Sequence, residues 1–149
     1  MAAQPPVSAV TAVTEAAVRG GVLACARRIE QVMKFLTAGT ANGAILSLAP
    51  EQPDQNVFSV SLEVARSTGA PAYVTASFFP NADGGCSAVY DSVEYSTHSC
   101  VATQKIYLPA AKPLPVIMKD IGILEAGTVK VFFVPVNNGC AVVKKEVVN

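Results

Sequence analysis

The stretch VKVFFVPVNNGCAVVKKEVV, residues 129–148, decides the fold class. Two runs of apolar and β-branched residues, 129–134 and 141–148, flank the turn Asn137-Asn138-Gly139. An Asn-Gly pair between two such runs is the strongest short-range signal for a β-hairpin, because both residues accept the positive φ that a tight turn requires. The C-terminal part of the chain is therefore predicted to be an antiparallel hairpin.

Upstream of this hairpin, apolar and polar residues alternate with the two-residue period of half-buried strands over most of the chain from residue 44 onward. In residues 58–64, for example, an apolar residue alternates with a polar one at every position. Further strands are predicted at 44–48, 72–79, 87–95, 103–108 and 116–118. Turn signals such as Asp83-Gly84-Gly85 separate them, and short connections favour antiparallel pairing. We expect a mainly antiparallel β-sheet of about six to eight strands.

The N-terminal segment 10–36 has a different period, typical of one amphipathic helix. The apolar residues that share one helical face are Val18, Val22, Cys25, Ile29, Val32 and Leu36. Gly20-Gly21 interrupts the pattern, and each glycine costs about 1 kcal/mol relative to alanine in a helix interior. We therefore expect a frayed or kinked first part and a firm helix from 22 to 36.

Helix and strands are segregated along the chain, which indicates an α+β fold and not an α/β fold. The sequence predicts a single domain over 1–149, in which the helix of 10–36 packs on the β-rich part of 44–149. Residues 1–9 are predicted to be a flexible N-terminus. The length of 149 residues is enough for one hydrophobic core.

Composition excludes several function classes. Eleven basic and eleven acidic residues give a net charge of zero, and no basic block exists. Binding of nucleic acid or of an anionic membrane surface through clustered lysine and arginine is therefore not expected. Although 51% of the residues are hydrophobic, no apolar run reaches the roughly 18–20 residues that span a bilayer.

Four cysteines, Cys25, Cys86, Cys100 and Cys140, are dispersed along the chain without a CxxC pair. An even, dispersed set of this kind indicates two disulfides in an oxidising compartment. The N-terminal residues are small or proline, without a charged n-region, and resemble the mature end left after signal-peptide cleavage. A periplasmic or secreted location is therefore predicted. The alternative is a cytosolic protein with four reduced, buried thiols.

Four cysteines allow three pairings. Cys86 and Cys100 are the nearest in sequence, and closing their loop would stabilise the fold by roughly 3 kcal/mol through the lost entropy of the unfolded chain. The local pairing Cys86–Cys100 is favoured because it is geometrically the simplest, which leaves Cys25 to pair with Cys140. Such a bridge would tether the loop 96–99 to the turn 83–85.

Catalytic and metal-binding patterns are weak. His98 is the only histidine, and the nearby Ser96, Ser99, Asp91 and Cys100 do not form a recognisable catalytic frame with it. A zinc site usually includes a closely spaced ligand pair, which is missing here. No catalytic residue, metal or cofactor is predicted, and His98 is expected to be an exposed loop residue.

The combination of one helix, a disulfide-linked sheet and no catalytic set resembles the small periplasmic inhibitor and immunity proteins of Gram-negative bacteria. The resemblance implies a non-catalytic protein that blocks a toxin or hydrolase by inserting a rigid loop. The implied contact residues are Asp83, Gly84, Tyr90, Tyr95, Ser96, Thr97, His98 and Ser99. A structural or assembly subunit of the bacterial envelope, which self-associates through its apolar surface or an edge strand, for example as a homodimer, is the first alternative. A small hydrolase that uses His98 is the second.

Overall fold

A computed structural model describes residues 11–108 and 114–149. The predicted flexible segment 1–9 lies outside the described residues. The elements are α1 (Ala12–Arg19), α2 (Ala26–Thr37), β1 (Asn42–Ser47), β2 (Phe58–Val64), β3 (Ala72–Pro80), β4 (Cys86–Ser96), α3 (Cys100–Tyr107), β5 (Gly122–Ala126), β6 (Val129–Val136) and β7 (Gly139–Val148). All seven strands form one antiparallel sheet in the order β1-β2-β3-β4-β7-β6-β5. The described residues therefore confirm an α+β fold.

The C-terminal hairpin is confirmed. Strands β6 and β7 pair with Val136 opposite Gly139, which leaves Asn137 and Asn138 as a two-residue turn. Asn137 has a φ of 50°, in the left-handed region that asparagine tolerates better than most residues. Strand β7 also pairs with β4 along most of its length, and this pairing joins the two parts of the sheet.

Two predicted strands differ in the structure. The segment predicted as a strand at 103–108 belongs mainly to α3, because Ser99 caps that helix: its Oγ accepts a hydrogen bond from the Ala102 amide at 3.2 Å. Serine is a favoured N-cap residue, and a five- or six-residue apolar pattern alone does not distinguish a strand from a helix. The segment 116–118 contributes only an isolated bridge between Val116 and Gly122.

The predicted helix of 10–36 is two helices. Helix α1 ends at Arg19, and Gly21 adopts a φ of 95°, which reverses the chain before α2 begins at Ala26. The glycine pair therefore ends a helix instead of kinking one.

A carboxylate joins the two helices. The Glu30 carboxylate accepts hydrogen bonds from the Thr11 amide at 3.0 Å and from the Thr14 hydroxyl at 2.6 Å. Lys34 lies 3.1 Å from it. Partial burial raises the pKa of Glu30, but the hydrogen bonds from Thr14, Thr11 and Lys34 outweigh it and lower the pKa to about 2.

The hydrophobic residues form two clusters on the same face of the sheet. The first cluster combines helix residues such as Ala17, Ile29 and Met33 with inward residues of β2, β3 and β4. The second is smaller and contains Val131, Phe133, Cys140 and Val142, with residues of α3 packed against it. Alternation along the strands places the other side chains on the opposite sheet face, over which none of the described helices packs.

Two disulfides are present, as predicted, but their pairing is different. The bonds are Cys25–Cys86 and Cys100–Cys140, so the predicted pairs Cys86–Cys100 and Cys25–Cys140 are wrong. Cys86 begins β4, and Cys100 follows the far end of that eleven-residue strand. An extended strand of this length spans about 33 Å, whereas bonded cysteines need Cα atoms within about 7 Å. Closeness in sequence was misleading because the intervening segment is extended.

Candidate functional site

The contact residues predicted from the sequence fall into three places. Asp83 and Gly84 lie in the β3–β4 turn, at the end of β4 that carries Cys86. The segment 95–99 lies at the opposite end of β4 and comprises the last two residues of that strand and the three residues before α3. We call it the loop 95–99. Tyr90 lies between them on the helix-bearing face and is only 6% exposed. The single tethered patch expected from the sequence is therefore not formed.

Most of the predicted contact residues lie at the end of the sheet opposite to Cys86. Strand pairing brings together the loops 65–71, 95–99 and 137–138, because Ser96 lies opposite Cys140 and Val64 lies opposite Ala72. We call these three loops the Cys100–Cys140 end. Its exposed side chains include Tyr95, Thr97, His98, Ser99, Asn137 and Asn138.

The loop between β4 and α3 is held by its own hydrogen bonds. The His98 amide donates to Ser96 Oγ at 3.2 Å. The hydroxyl of Thr103, a buried polar residue, lies 2.9 Å from the Ser99 carbonyl oxygen and 3.1 Å from Ser96 Oγ. Ser96 and Ser99 therefore order the loop, and Thr97 and His98 are the residues that it presents to solvent.

Tyr95 is also fixed from one side. A Cβ atom at residue 139 would overlap the Tyr95 hydroxyl and the Ser96 carbonyl, so glycine is required there for Tyr95 to pack against the β6–β7 turn. Arg66 bonds to the Tyr95 carbonyl oxygen at 3.4 Å and pairs with Glu94 at 3.6 Å. Tyr95 remains 43% exposed, as an aromatic residue with a restrained position.

The chemistry available at this end is limited. Across 11–108 and 114–149, no side chain hydrogen-bonds to the His98 imidazole, and its backbone amide makes the one His98 donor contact. Cys100 is bonded to Cys140 and is therefore not a free thiol. The described residues contain no group of three or more His, Cys, Asp or Glu side chains that could hold a metal ion.

Tyr90 belongs to a separate groove between α2 and the β4–β7 pair. Its hydroxyl donates a hydrogen bond to the Glu146 carboxylate, which also accepts one from Thr128 Oγ1 at 2.5 Å. The hydrogen bonds from Thr128 and Tyr90 lower the pKa of Glu146. Burial, together with the hydrogen bond to Glu146 and its charge, raises the pKa of Tyr90.

The groove has a volume of about 230 Å³ and is lined by Gln31, Val32, Phe35, Tyr90, Glu146 and Val148. Phe35 is 67% exposed, and its ring centre lies 5.9 Å from that of Tyr90. Sequence reasoning missed Phe35 and Glu146. Phe35 could have been found as a large apolar residue outside the predicted apolar stripe of the helix, but nothing in the sequence connects Glu146 to Tyr90.

At the other end of β4, Asp83 and Gly84 adjoin a second cavity. This cavity has a volume of about 440 Å³ and is lined by Ala24, Arg27, Arg28, Gln31, Gly84, Gly85 and Cys86. Asp83 Oδ1 accepts a hydrogen bond from the Gly85 amide at 3.0 Å, which stabilises the turn. Arg28 Nε donates to the Cys86 carbonyl oxygen at 2.9 Å. Asp83 and Arg28 therefore stabilise the backbone at this end of β4.

Comparisons of the chain with protein-family models, with curated proteins and with solved structures found no match. No helix within 11–108 and 114–149 is long and apolar enough to cross a membrane.

Proposed function

We propose that the protein is a non-catalytic binding protein of the periplasm or the extracellular space, and that it inhibits an enzyme or toxin through the Cys100–Cys140 end. The observation that carries this proposal is the order of the loop 95–99. A disulfide fixes the residue that follows the loop. Ser96 Oγ accepts a hydrogen bond from the His98 amide, Ser99 Oγ accepts one from the Ala102 amide, and the Thr103 hydroxyl donates one to the Ser99 carbonyl oxygen.

An ordered loop is suited to binding because it loses little conformational entropy when it meets a partner. Thr97 and His98 are exposed at its tip, and Tyr95 beside them offers a restrained aromatic surface. Tyrosine is enriched at the centres of protein–protein interfaces, where it contributes both apolar area and a hydroxyl. The same residues lack the convergent acid, base and nucleophile that an enzyme needs.

The proposed compartment rests on the cysteines. All four are bonded in two disulfides, and stable disulfides are rare in a reducing cytosol. Each bond joins the start of a helix to a strand of the sheet, as expected for bonds that stabilise the fold permanently. Export to an oxidising compartment is the simplest setting in which such a chain folds.

Affinity capture from the envelope and the culture fluid of the producing organism tests the proposal, followed by calorimetry with the purified partner. An enzyme whose activity falls at an equimolar ratio is the expected result. His98→Glu in the loop should weaken binding at least tenfold, which corresponds to about 1.4 kcal/mol. Gln55→Glu is the matched control, because it adds the same charge to an exposed loop at the opposite end of the sheet.

Equal affinities of the two variants would contradict the assignment of the binding surface. A turnover that the wild type shows and His98→Ala abolishes would contradict the non-catalytic proposal and favour the hydrolase.

A structural or assembly subunit is the second candidate, and one observation favours it. Strand β1 forms an edge of the sheet, and its six residues carry neither a charge nor a proline. Such an edge is a template for pairing with another chain.

A further inference from the structure

The two edges of the sheet are protected to very different degrees. Edge strand β5 has five residues, one of them Glu125, and the segment before it folds back along its outer side. There, the Ile123 amide donates to the Pro115 carbonyl oxygen at 2.9 Å. Edge strand β1 has no charged residue, and Ile45 at its centre is 71% exposed. Proteins usually protect an exposed edge with charge, proline or a covering segment. Strand β1 has neither charge nor proline, and within 11–108 and 114–149 no strand pairs with its outer side.

The register of β1 against β2 shows which backbone groups are free. The Ala65 amide donates to the Ala41 carbonyl oxygen, so these two opposed residues form a hydrogen-bonded pair. Hydrogen-bonded and non-hydrogen-bonded pairs alternate along an antiparallel ladder. The amides and carbonyls of Gly43, Ile45 and Ser47 therefore point toward β2.

The outward groups belong to the alternate residues of β1. They are the amides and carbonyls of Asn42, Ala44 and Leu46, and none of the strands described in 11–108 and 114–149 pairs with them. This row has the spacing of a half-formed antiparallel ladder.

We propose that this edge binds β1 of a second copy of the chain, antiparallel and centred on Ala44. The two sheets then join into one continuous sheet of fourteen strands across a two-fold axis. In this register Ala44 lies opposite Ala44 of the second copy, and Asn42 lies opposite Leu46. The proposal goes beyond the inhibitory function, because that function uses the loop between β4 and α3, and strands β2 and β3 separate β4 from β1.

A second copy fits better than an unrelated segment because β1 complements itself. In the register centred on Ala44, exposed Ile45 lies opposite Gly43 of the second copy, so that a large side chain meets an empty position on each side of the axis. Cross-strand neighbours on the same face are the pairs that stabilise a sheet, and opposed like charges destabilise it. Strand β1 has no charge to oppose its own copy.

Sedimentation equilibrium over a concentration series tests the proposal. The wild type should have twice the mass of one chain, and Ala44→Pro should shift it to the mass of one chain. Proline removes the outward amide at residue 44 and leaves the bonds to β2, as in natural edge strands. Glu125→Pro is the matched control, since it removes an outward amide on the opposite edge. It should remain a dimer.

A distance measurement tests the register without changing the pairing residues. Nitroxide labels on Ser47→Cys should lie about 20 Å apart, since six residues separate the two positions along the antiparallel pair at about 3.4 Å per residue. A monomeric wild type, a dimeric Ala44→Pro variant that keeps the wild-type circular dichroism spectrum, or a label distance far from this value would each overturn the proposal.

Discussion

Both halves of the sheet have a helix packed on the same face and attached by a disulfide, but the hydrophobic cores beneath the helices differ in size. In each half, a disulfide joins the start of a helix to a strand. Cys25, the N-cap residue of α2, is bonded to Cys86 of β4, and Cys100 of α3 is bonded to Cys140 of β7. The first half has eighteen buried residues in its cluster, and the second has four among the described residues. Helix α2 therefore has a core to hold it, whereas α3 depends much more on its disulfide. The ordered loop 95–99 lies beside the weaker helix.

The largest expected effect comes from removing one disulfide at a time. Cys25→Ala with Cys86→Ala, and Cys100→Ala with Cys140→Ala, should each lower the free energy of unfolding by about 4 kcal/mol, because each bond closes a long loop in the unfolded chain. The local effects should differ. Hydrogen exchange should show loss of protection in α3 when its bond is removed, while α2 keeps much of its protection without Cys25–Cys86. If α3 kept its protection without Cys100–Cys140 while α2 lost its protection without Cys25–Cys86, α2 and not α3 would be the helix that depends on its disulfide.

Truncating a buried phenylalanine should destabilise the protein more in the first cluster than in the second. Phe58 and Phe133 are both at most 1% exposed, one in each cluster. Phe58→Ala should cost about 4 kcal/mol and Phe133→Ala about 3 kcal/mol, because fewer neighbours surround Phe133 and the smaller cluster can close around the cavity more completely. Chemical denaturation of the two variants measures this. A greater loss for Phe133→Ala would show that the second half is not the weaker one.

The contact between α1 and α2 should give a smaller, pH-dependent effect. Glu30→Gln should lower the free energy of unfolding by about 1–2 kcal/mol at neutral pH, through weakened hydrogen bonds at the start of α1. Because the pKa of Glu30 is lowered from 4.5 to about 2 in the folded state, its stabilisation is complete above pH 4.5 and declines as the pH falls toward 2.

Denaturation between neutral pH and pH 2 therefore has a distinct expected outcome. The Glu30→Gln variant should lose less stability over this range than the wild type. Glu63→Gln, a change at an exposed residue of β2, is the control and should follow the wild type. An unchanged pH dependence in Glu30→Gln would contradict the proposed role of this carboxylate.

The smallest effect concerns two adjacent lysines on opposite faces of β7. Lys144 Nζ lies 5.4 Å from the ring centre of Tyr107 in α3, and Lys145 pairs with Asp91 at 2.7 Å on the uncovered face. Each substitution to glutamine should cost less than about 1 kcal/mol. Only Lys144→Gln should increase hydrogen exchange in α3. Equal exchange in both variants would show that the lysine–tyrosine contact does not hold the helix.

The sequence predicted those elements whose signal is local. Alternation in 58–64 and 72–79, and the turn signal of 137–139, correspond to β2, β3 and the β6–β7 hairpin, although the two turn residues are Asn137 and Asn138 and Gly139 begins β7. Helix α3 could not be predicted from periodicity, because its apolar residues are too few to distinguish a period of two from one of 3.6. The more informative signal was Ser99, the N-cap residue of this helix.

The long-range features could not be predicted from spacing. The disulfide pairing depends on where the ends of β4 lie in space, and the cysteines of each actual pair are 61 and 40 positions apart. The groove at Tyr90 exists because β4 pairs with β7, which brings Glu146 to Tyr90 from 56 residues away. Of the predicted contact residues, the exposed loop 95–99 remains together, whereas Asp83 and Gly84 are separated from it by the length of a strand.

A disulfide map of the unreduced protein tests directly whether each half of the sheet has its own disulfide to a helix. Cleavage after lysine, arginine and glutamate separates Cys86 from Cys100 at Glu94 and yields the peptides 20–27, 67–94, 95–105 and 131–144. Peptide 20–27 should be linked to 67–94, and peptide 95–105 should be linked to 131–144. A link between 67–94 and 95–105, or four thiols that react with an alkylating reagent, would contradict this pairing.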